Sequence, residues 1–298
     1  MIKKHNYPLK KRKVLLIVLL ISLPYGLLAS PPWGFFAHKK INKLAIYALP
    51  PEMIQFYKRH RTELENMAVL PDQRRYILDK EAARHYIDLD QYVISRIIFS
   101  DWEQIKRQFP EDSIQKHGIV PWHIPIVYKN LKQAFMKKDT ISIIKLSAEL
   151  GHYIGDAHVP LHTTSNYDGQ KTGQSGLHSF WESRIPEILD TALEDWIGPA
   201  EYLSNIQKSV WEWVIDSNQE VAILIQKEKE LNRQIPDNKK FTFEQKGTQL
   251  QKIPSLFYSK KYHQSLGNQI EKRFNAAIKH VSDVWYSAWV DGGQPIFQ

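Results

Sequence analysis

"ELGHYIGDAHVPLH", residues 149–162, places three histidines and one aspartate in a largely apolar frame. His152 and Asp156 are four residues apart, so on an α-helix they share one face. Pro160 stops such a helix, and His162 follows two residues later. Imidazole nitrogens and carboxylate oxygens are ligands that zinc takes in proteins. The segment therefore predicts a helix that ends in a group of metal ligands.

Two glycines interrupt this helical segment. Gly151 and Gly155 are four residues apart, and each costs a helix about 1 kcal/mol relative to alanine. A close approach of another segment to the backbone beside the ligands would compensate for that cost. Asp139 and Thr140 are suitable capping residues, which predicts a helix that runs to about His158.

A second pair of ligand types follows the polar, glycine-containing loop Thr163–Gly176. The stretch GLHSFWES places His178 and Glu182 four residues apart, again on one helical face. A single helical histidine is ordinarily a surface residue or a core residue with a hydrogen-bond partner. Two His/carboxylate pairs joined by His162 are far less expected by chance and can enclose more than one ion. We therefore predict a metal site here and interpret His158 as its neighbour rather than a ligand.

Helical spacing of apolar residues continues through most of the chain, and alternating strand patterns are scarce. Further helices are predicted at His38–Leu49, Glu52–Met67, His178–Trp196, 200–231 and 259–290. Residues Leu231–Pro254 are interpreted as a polar connection. The predicted fold class is all-α, with a single compact multi-helix domain around the metal cluster.

The N-terminal 30 residues are typical of a signal peptide. Six basic side chains precede the apolar run Val14–Leu23, and Pro24 and small residues follow it. The run is short for a membrane span, so we expect a periplasmic or secreted protein rather than an anchored one. The mature domain then covers residues 31–298.

Composition leaves the partner open. The chain has no cysteine, so disulfides cannot stabilise an exported form, and bound metal is a candidate to do so. The formal net charge is +8, but residues 1–32 hold six basic and no acidic side chains, which leaves 34 basic against 32 acidic. This near balance argues neither for nor against a nucleic-acid partner.

Four segments are similar to the motifs of one enzyme superfamily. HYIGDAHVPLH resembles its central ligand motif, and GLHSFWESRI its downstream His-x-x-x-acid motif. WGFFAHKKIN resembles its mature N-terminus, and VLPDQRRYILDKEAARHYIDLD supplies an aspartate and a histidine in the intervening region. The superfamily is that of zinc-dependent phospholipase C and the single-strand-specific zinc nucleases of the P-one type. The motifs span Trp33 to Glu182, and the C-terminal third is similar only in being helical.

The resemblance implies two or three Zn²⁺ ions per chain. One zinc would be held by Asp72, His85, His152 and Asp156. A second would be held by His162, His178 and Glu182. A third would be held by His38, Asp156 as a bridge, and the amino and carbonyl groups of Trp33. Trp33 can offer an amine only as the mature N-terminus; otherwise it is an aromatic cover over the site.

The implied activity is hydrolysis of phosphodiester bonds by zinc-activated water, since no motif for a protein nucleophile, a P-loop or a dinucleotide is present. Asp72 is the candidate to orient or deprotonate that water. Arg75 is the candidate to contact a phosphate oxygen, although a solvated arginine explains this position equally well. Glu182 in the last ligand position favours the phospholipase C branch, and the Asp72-x-x-Arg75 spacing favours the nuclease branch.

We expect phospholipase C-like activity, with a single-strand-specific nuclease as the alternative. A phospholipid substrate would suit a peripheral contact of Phe35 and Phe36 with a lipid surface, whereas Tyr167, Phe180 and Trp181 could stack on bases. A non-catalytic zinc-binding protein is the third interpretation, which the carboxylate-rich ligand set disfavours. No obligate protein partner is indicated.

Overall fold

The computed structural model describes residues 34–92, 97, 101–193, 196–246 and 249–297. Within them the chain is helical apart from one hairpin, which confirms the all-α prediction. Trp33 and the predicted signal peptide lie outside the described residues, so the export segment and the boundary at residue 31 stay predictions.

Helices account for most of the described chain. In chain order they are α1 Phe35–Ala45, α2 Pro51–Arg59, α3 Arg61–Met67, α4 Leu70–Arg74, α5 Trp102–Gln108, α6 Glu111–Lys116, α7 Val120–Lys137, α8 Thr140–Ala157, α9 Leu177–Ser179, α10 Ile185–Ile188, α11 Ile206–Gln219, α12 Val221–Gln234, α13 Asp237–Lys240, α14 Leu256–Leu266 and α15 Gln269–Asp291. Short 3₁₀ segments lie at Ile46–Ala48, Ala82–His85, Leu89–Gln91, Pro160–Thr163 and Asp190–Leu193, and a π-helical segment lies at Phe180–Arg184. Strands β1 Phe241–Lys246 and β2 Gln249–Pro254 pair antiparallel.

Helix starts follow the capping chemistry of the sequence. Pro51 opens α2, where its missing N–H removes no intrahelical hydrogen bond. The Asp139 side chain accepts a hydrogen bond from the Ser142 amide at 3.1 Å and so caps α8 as expected. The helix predicted over Glu52–Met67 is divided at His60, whose φ of −103° and ψ of 19° lie outside the helical region.

Helix α8 lies at the centre of the fold. It packs against α1, α3, α7 and α15, and the turn between α7 and α8 passes through Lys138 in the left-handed region. Trp122, Trp211 and Trp285 are fully buried in the main core around these helices. Removing this aromatic surface from water, together with the surrounding apolar side chains, stabilises the packing of the helices around α8.

The interpretation of Leu231–Pro254 as a polar connection is wrong. Helix α12 continues to Gln234, α13 follows, and the rest of the segment forms the β1–β2 hairpin. Period-two alternation is present in FTFEQK, but it is too short and polar to separate a strand from a loop by sequence. Among the described residues, every helix falls short of the length and apolar character that a membrane crossing requires.

Candidate metal centre

The C-terminal half of α8 is buried on every side. All residues from Ser147 to Ala157 are buried, and His152 and Asp156 are 0% and 1% exposed. A carboxylate at this depth is costly unless positive charge surrounds it. The residues around Asp156 therefore have to include cationic groups or a metal ion.

The two glycines of α8 permit the close approach of α1. A Cβ atom at Gly151 would lie 1.6 Å from Asn42 Oδ1, and one at Gly155 would lie 2.9 Å from His38 Nδ1. Both distances are shorter than real Cβ atoms allow. The absence of a side chain lets the His38 ring stack on His152 with a centroid separation of 4.0 Å. The close approach predicted from the glycines is present.

The first group of ligand atoms comes from three segments. His85 Nδ1 lies 2.9 Å from Asp156 Oδ2 and 3.0 Å from His152 Nε2. His152 Nε2 lies 3.2 Å from the same carboxylate oxygen. Asp72 Oδ1 lies 3.8 Å from His85 Nδ1 and 3.9 Å from His152 Nε2. The four residues predicted to share one zinc thus converge, with Asp72 at the outer edge.

The second group lies on the other side of Asp156. His178 Nε2 lies 2.6 Å from Glu182 Oε2 and 3.0 Å from His162 Nε2, and His162 Nε2 lies 3.4 Å from Glu182 Oε2. Glu182 sits within the π-helical segment that follows α9, instead of the regular helix predicted from sequence. Such π segments are common at functional sites because they re-aim a side chain.

A polar loop fixes the start of the helix that carries His178. The Asp168 carboxylate accepts hydrogen bonds from the Gly176 amide at 2.9 Å and from the His178 amide at 3.2 Å. Gly176 has a φ of 95°, a conformation that favours glycine. This turn aims His178 at His162 across the loop.

His38 links the two groups. Its Nε2 atom lies 3.4 Å from Asp156 Oδ1 and 3.5 Å from Glu182 Oε1. His38 thus contacts Asp156, the residue with which it is expected to share a third ion, whereas the approach of Glu182 to His38 was not predicted. Trp33, the other expected ligand, lies outside the described residues.

Backbone carbonyls orient two of the imidazole rings. The Nδ1–H of His152 donates to the Ala68 carbonyl oxygen at 2.8 Å, and that of His162 donates to the His85 carbonyl oxygen at 2.6 Å. Each hydrogen bond leaves the Nε2 lone pair directed into its group, which is how metal-binding histidines are held. His158 is not part of either group, since its Nε2 pairs with His280 Nδ1 at 2.7 Å.

The carboxylates dominate the electrostatics of the centre. Burial by itself lowers the pKa of His38, but hydrogen bonds to Asp156 and Glu182 raise it to about 10. Burial also lowers the pKa of His162, and the Asp156 and Glu182 carboxylates raise it to about 9. Burial raises the pKa of Asp156, yet His152 and His162 hold it well below its usual range. Burial likewise raises the pKa of Glu182, yet His162 and His178 hold it well below its usual range. Both carboxylates therefore remain charged and require compensating positive charge.

The donor set fits divalent zinc. Three groups of side chains place their ligand atoms within 4.8 Å of one another: His38, His152 and Asp156; Asp72, His85 and His152; and His162, His178 and Glu182. All are imidazole nitrogens or carboxylate oxygens, which zinc accepts. The Nε2 acceptor of His162 faces a second imidazole nitrogen and a carboxylate oxygen, an arrangement that a cation or added protons must neutralise. The buried clusters could hold metal.

A cleft of about 610 Å³ opens onto both groups. Its wall includes Asp72, Arg75, His85, Asp156, His162, His178 and Glu182, together with Tyr86, Lys116 and Tyr167. Arg75 lies with its Nη1 atom 3.8 Å from Asp72 Oδ1, and its side chain is 39% exposed. Sequence reasoning missed Tyr86 and Lys116, although Tyr86 directly follows the predicted ligand His85. Phe180 and Trp181 are buried in a second core cluster, so they do not form base-stacking surfaces.

A comparison of the sequence with models of known protein families identifies the family of this chain. No curated protein matches the chain. The model described as S1/P1 Nuclease matches residues 33–281, a range that contains every predicted ligand. The family lies in the phospholipase C/P1 nuclease superfamily, so the resemblance is confirmed, and it indicates a phosphodiester hydrolase of the nuclease type. The match favours the nuclease alternative and gives no specific support to the phospholipase C expectation. The chain belongs to the zinc-dependent S1/P1 nuclease family.

Proposed function

We propose that this protein is a zinc-dependent nuclease that hydrolyses phosphodiester bonds of single-stranded nucleic acid. One observation carries the proposal: two groups of candidate His and carboxylate ligands, linked by His38, border one open cleft. The cleft wall includes Asp72, His85 and Asp156 of the first group and His162, His178 and Glu182 of the second. The family match over residues 33–281 supports the same reaction.

We further propose the ligand assignment of each ion. One zinc is held by Asp72, His85, His152 and Asp156. A second is held by His162, His178 and Glu182. A third is held by His38 and Asp156, with Trp33 if that residue becomes the N-terminus. The distances among these side chains, and the backbone hydrogen bonds of His152 and His162, support the first two assignments.

Bound Zn²⁺ supplies Lewis-acid chemistry, since it lowers the pKa of a coordinated water to about 7 and neutralises charge on a phosphodiester. Asp72 lies at the cleft surface of the first group, where its carboxylate can accept a proton from the attacking water and orient it. The Arg75 guanidinium beside it can donate to a non-bridging phosphate oxygen. His152 and Asp156 lie in the C-terminal half of α8, which is buried from solvent.

The cleft wall suits a nucleotide. Tyr167 is 54% exposed, and Tyr86 lines the same cleft, so both rings are available to stack on a base. Lys116 and Arg75 provide positive charge for the phosphate backbone. These side chains support a nucleic-acid substrate independently of the zinc ligands.

Phospholipase C activity is the second candidate, on one specific observation. Tyr76, Ile77 and Leu78 directly follow Arg75 in the chain and are 65%, 79% and 49% exposed. Exposed apolar residues beside a cleft are a feature of lipid-contacting enzymes. Glu182 in the last ligand position favours the same branch.

A paired assay tests the proposal. Purified protein is loaded with zinc, its metal content is measured by mass spectrometry, and single-stranded DNA and phosphatidylcholine are offered side by side. We expect hydrolysis of the DNA, loss of activity on chelation and recovery with zinc. Hydrolysis of phosphatidylcholine alone would reverse the order of the two candidates, and hydrolysis of neither substrate by zinc-loaded protein would leave the non-catalytic zinc-binding interpretation.

Asp156→Asn tests the metal centre itself. Asp156 contacts ligand atoms of His38, His85 and His152, so we expect the variant to lose zinc and nuclease activity together. The matched control is Asp112→Asn, which removes an exposed carboxylate from α6. A variant with full zinc content and full rate would contradict the assignment.

We also propose export through the N-terminal segment. The basic residues and the apolar run Val14–Leu23 support a signal peptide. Cell fractionation locates the protein, and N-terminal sequencing of the mature form decides whether Trp33 carries the free amine. Retention of residues 1–30 in the mature protein would contradict this proposal.

A further inference from the structure

The β1–β2 hairpin presents aromatic and aliphatic side chains to solvent. In the antiparallel register, Phe241, Phe243 and Gln245 of β1 lie opposite Pro254, Lys252 and Leu250 of β2, so all six occupy one face. Phe243 and Leu250 on this face are 64% and 65% exposed. We call this face, Phe241, Phe243, Gln245, Leu250, Lys252 and Pro254, the outer hairpin face.

The opposite face anchors the hairpin to the helix of the candidate metal centre. Ile253 points inward and is 5% exposed. Glu244 Oε1 lies 2.8 Å from Nη2 of Arg184, which is two residues after Glu182. The hairpin is therefore held beside the segment that presents a predicted zinc ligand, while Phe243 and Leu250 of its outer face remain exposed to solvent.

The hairpin adjoins the cleft. Ser179, the neighbour of His178, lines the cleft and also lines a concavity bounded by Arg184 and Gln251–Pro254 of β2. A polymer that leaves the cleft past Ser179 would therefore meet the hairpin first. A small substrate held at the zinc ligands would not extend this far.

The chemistry of the outer hairpin face suits a polyanion that carries stackable rings. Lys252 Nζ lies 4.2 Å from the centroid of the Phe241 ring, and Phe243 is the direct cross-strand partner of Lys252. Across the described positions of this face there is no carboxylate. Base–aromatic stacking combined with a cation is how proteins bind single strands without sequence preference. A lipid surface would use the apolar area but would not need the paired lysine and rings.

We propose that the outer hairpin face is an accessory binding surface for the part of a single-stranded nucleic acid that extends beyond the cleft. The proposal rests on the proposed nuclease function. It predicts that the hairpin contributes to binding of long substrates only.

The test separates long from short substrates. Phe243→Ala is compared with wild type on a long oligothymidylate and on a thymidine dinucleotide. One stacking contact corresponds to about a 5- to 160-fold effect, so we expect KM for the long substrate to rise by that factor. KM for the dinucleotide and kcat for both substrates stay unchanged. Phe243→Trp, which keeps a stacking ring, should behave as wild type.

The matched control is Ile141→Ala, which removes an exposed apolar side chain from the first turn of α8, distant in sequence from the hairpin. It should change neither KM. An unchanged KM of Phe243→Ala for the long oligothymidylate, or an equal rise for both substrates, would overturn the proposal.

A binding measurement keeps this proposal distinct from the nuclease assignment. Fluorescence anisotropy in excess chelator records the affinity of the intact protein for labelled oligothymidylate, without any hydrolysis. Weaker binding by Phe243→Ala supports the accessory surface even if no DNA is hydrolysed, in which case only the nuclease assignment fails. If Phe243→Ala instead lost binding to phosphatidylcholine vesicles and kept its affinity for the oligonucleotide, the surface would be lipid-binding and our proposal wrong.

Discussion

Gly151→Ala tests whether close contact between α1 and α8 builds the metal centre. In an ordinary helix this change stabilises the protein by about 1 kcal/mol, because alanine is the better helix former. Here the new Cβ would lie 1.6 Å from Asn42 Oδ1, whereas ordinary contact begins near 3.4 Å. Asn42 or the whole of α1 must therefore move by roughly 1.8 Å, the difference between these distances.

The expected loss of stability follows from the hydrogen bonds that Asn42 makes. Its buried amide donates to the Ala148 carbonyl oxygen at 3.1 Å and to the Leu64 carbonyl oxygen at 3.4 Å. Overpacking costs about 1–3 kcal/mol, and each lost hydrogen bond about 1 kcal/mol. After the gain in helix propensity is subtracted, we expect Gly151→Ala to lower the free energy of unfolding by about 1–4 kcal/mol.

Urea unfolding in excess chelator measures this effect without bound metal. In an Asn42→Ala background there is room for the new methyl group. There Gly151→Ala should be neutral or stabilise the protein by up to about 1 kcal/mol. Zinc affinity of Gly151→Ala should also fall, because His38 lies on α1 one turn from Asn42. An equal cost in both backgrounds, or a more stable single variant, would refute the close-contact argument.

Three further predictions follow from the buried polar groups and the metal. Glu81→Gln should weaken zinc binding by about 10–100-fold in a chelator competition, because the buried Glu81 carboxylate faces His85 Nε2 at 3.9 Å and orients that ring. An unchanged zinc affinity would exclude this role of Glu81. Burial is the main reason that the pKa of His280 is lowered to about 3, and the charges of Arg273 and Lys279 lower it further. In the unfolded chain the histidine pKa is near 6.5, so as the pH falls the unfolded state takes up the proton before the folded state does. Stability in urea should therefore decline as pH falls below about 6.5, and less so in His280→Asn, which keeps a donor; identical pH profiles would contradict this. Removing zinc should lower the free energy of unfolding by about 4 kcal/mol relative to protein at a free zinc concentration of 1,000 times Kd. The measurement is the shift of the urea midpoint on chelation. An unchanged midpoint would show that zinc does not bind the folded state.

Sequence spacing was sufficient to predict which helix brings His152 and Asp156 together as candidate ligands. His152 and Asp156 had to share a face because the helical period places every fourth residue above the last. Asp139 had to cap the start of that helix because its carboxylate can accept the free amides of the first turn. The fold class followed from the same period, since most of the chain repeats it.

Spacing did not predict contacts between residues distant in the chain. Glu182 approaches His38 from within a π-helical segment, which the local sequence FWESR did not predict. Tyr153 donates a buried hydrogen bond to Glu81, which lies 72 residues earlier in the chain and faces His85. The hairpin also went unrecognised, because its strands are stabilised by pairing with each other and by Arg184, not by their own composition.

The sequence by itself therefore determined the ligand types, their pairing on helical faces and the family. The tertiary structure alone decided how the pairs share Asp156, which histidine nitrogen faces the centre, and which aromatic side chains reach solvent. The physical reason is that helical periodicity and capping act over a few residues. Burial, hydrogen bonding to distant carbonyls and the fields of buried carboxylates depend on how α1, α8 and the π-helical segment pack together.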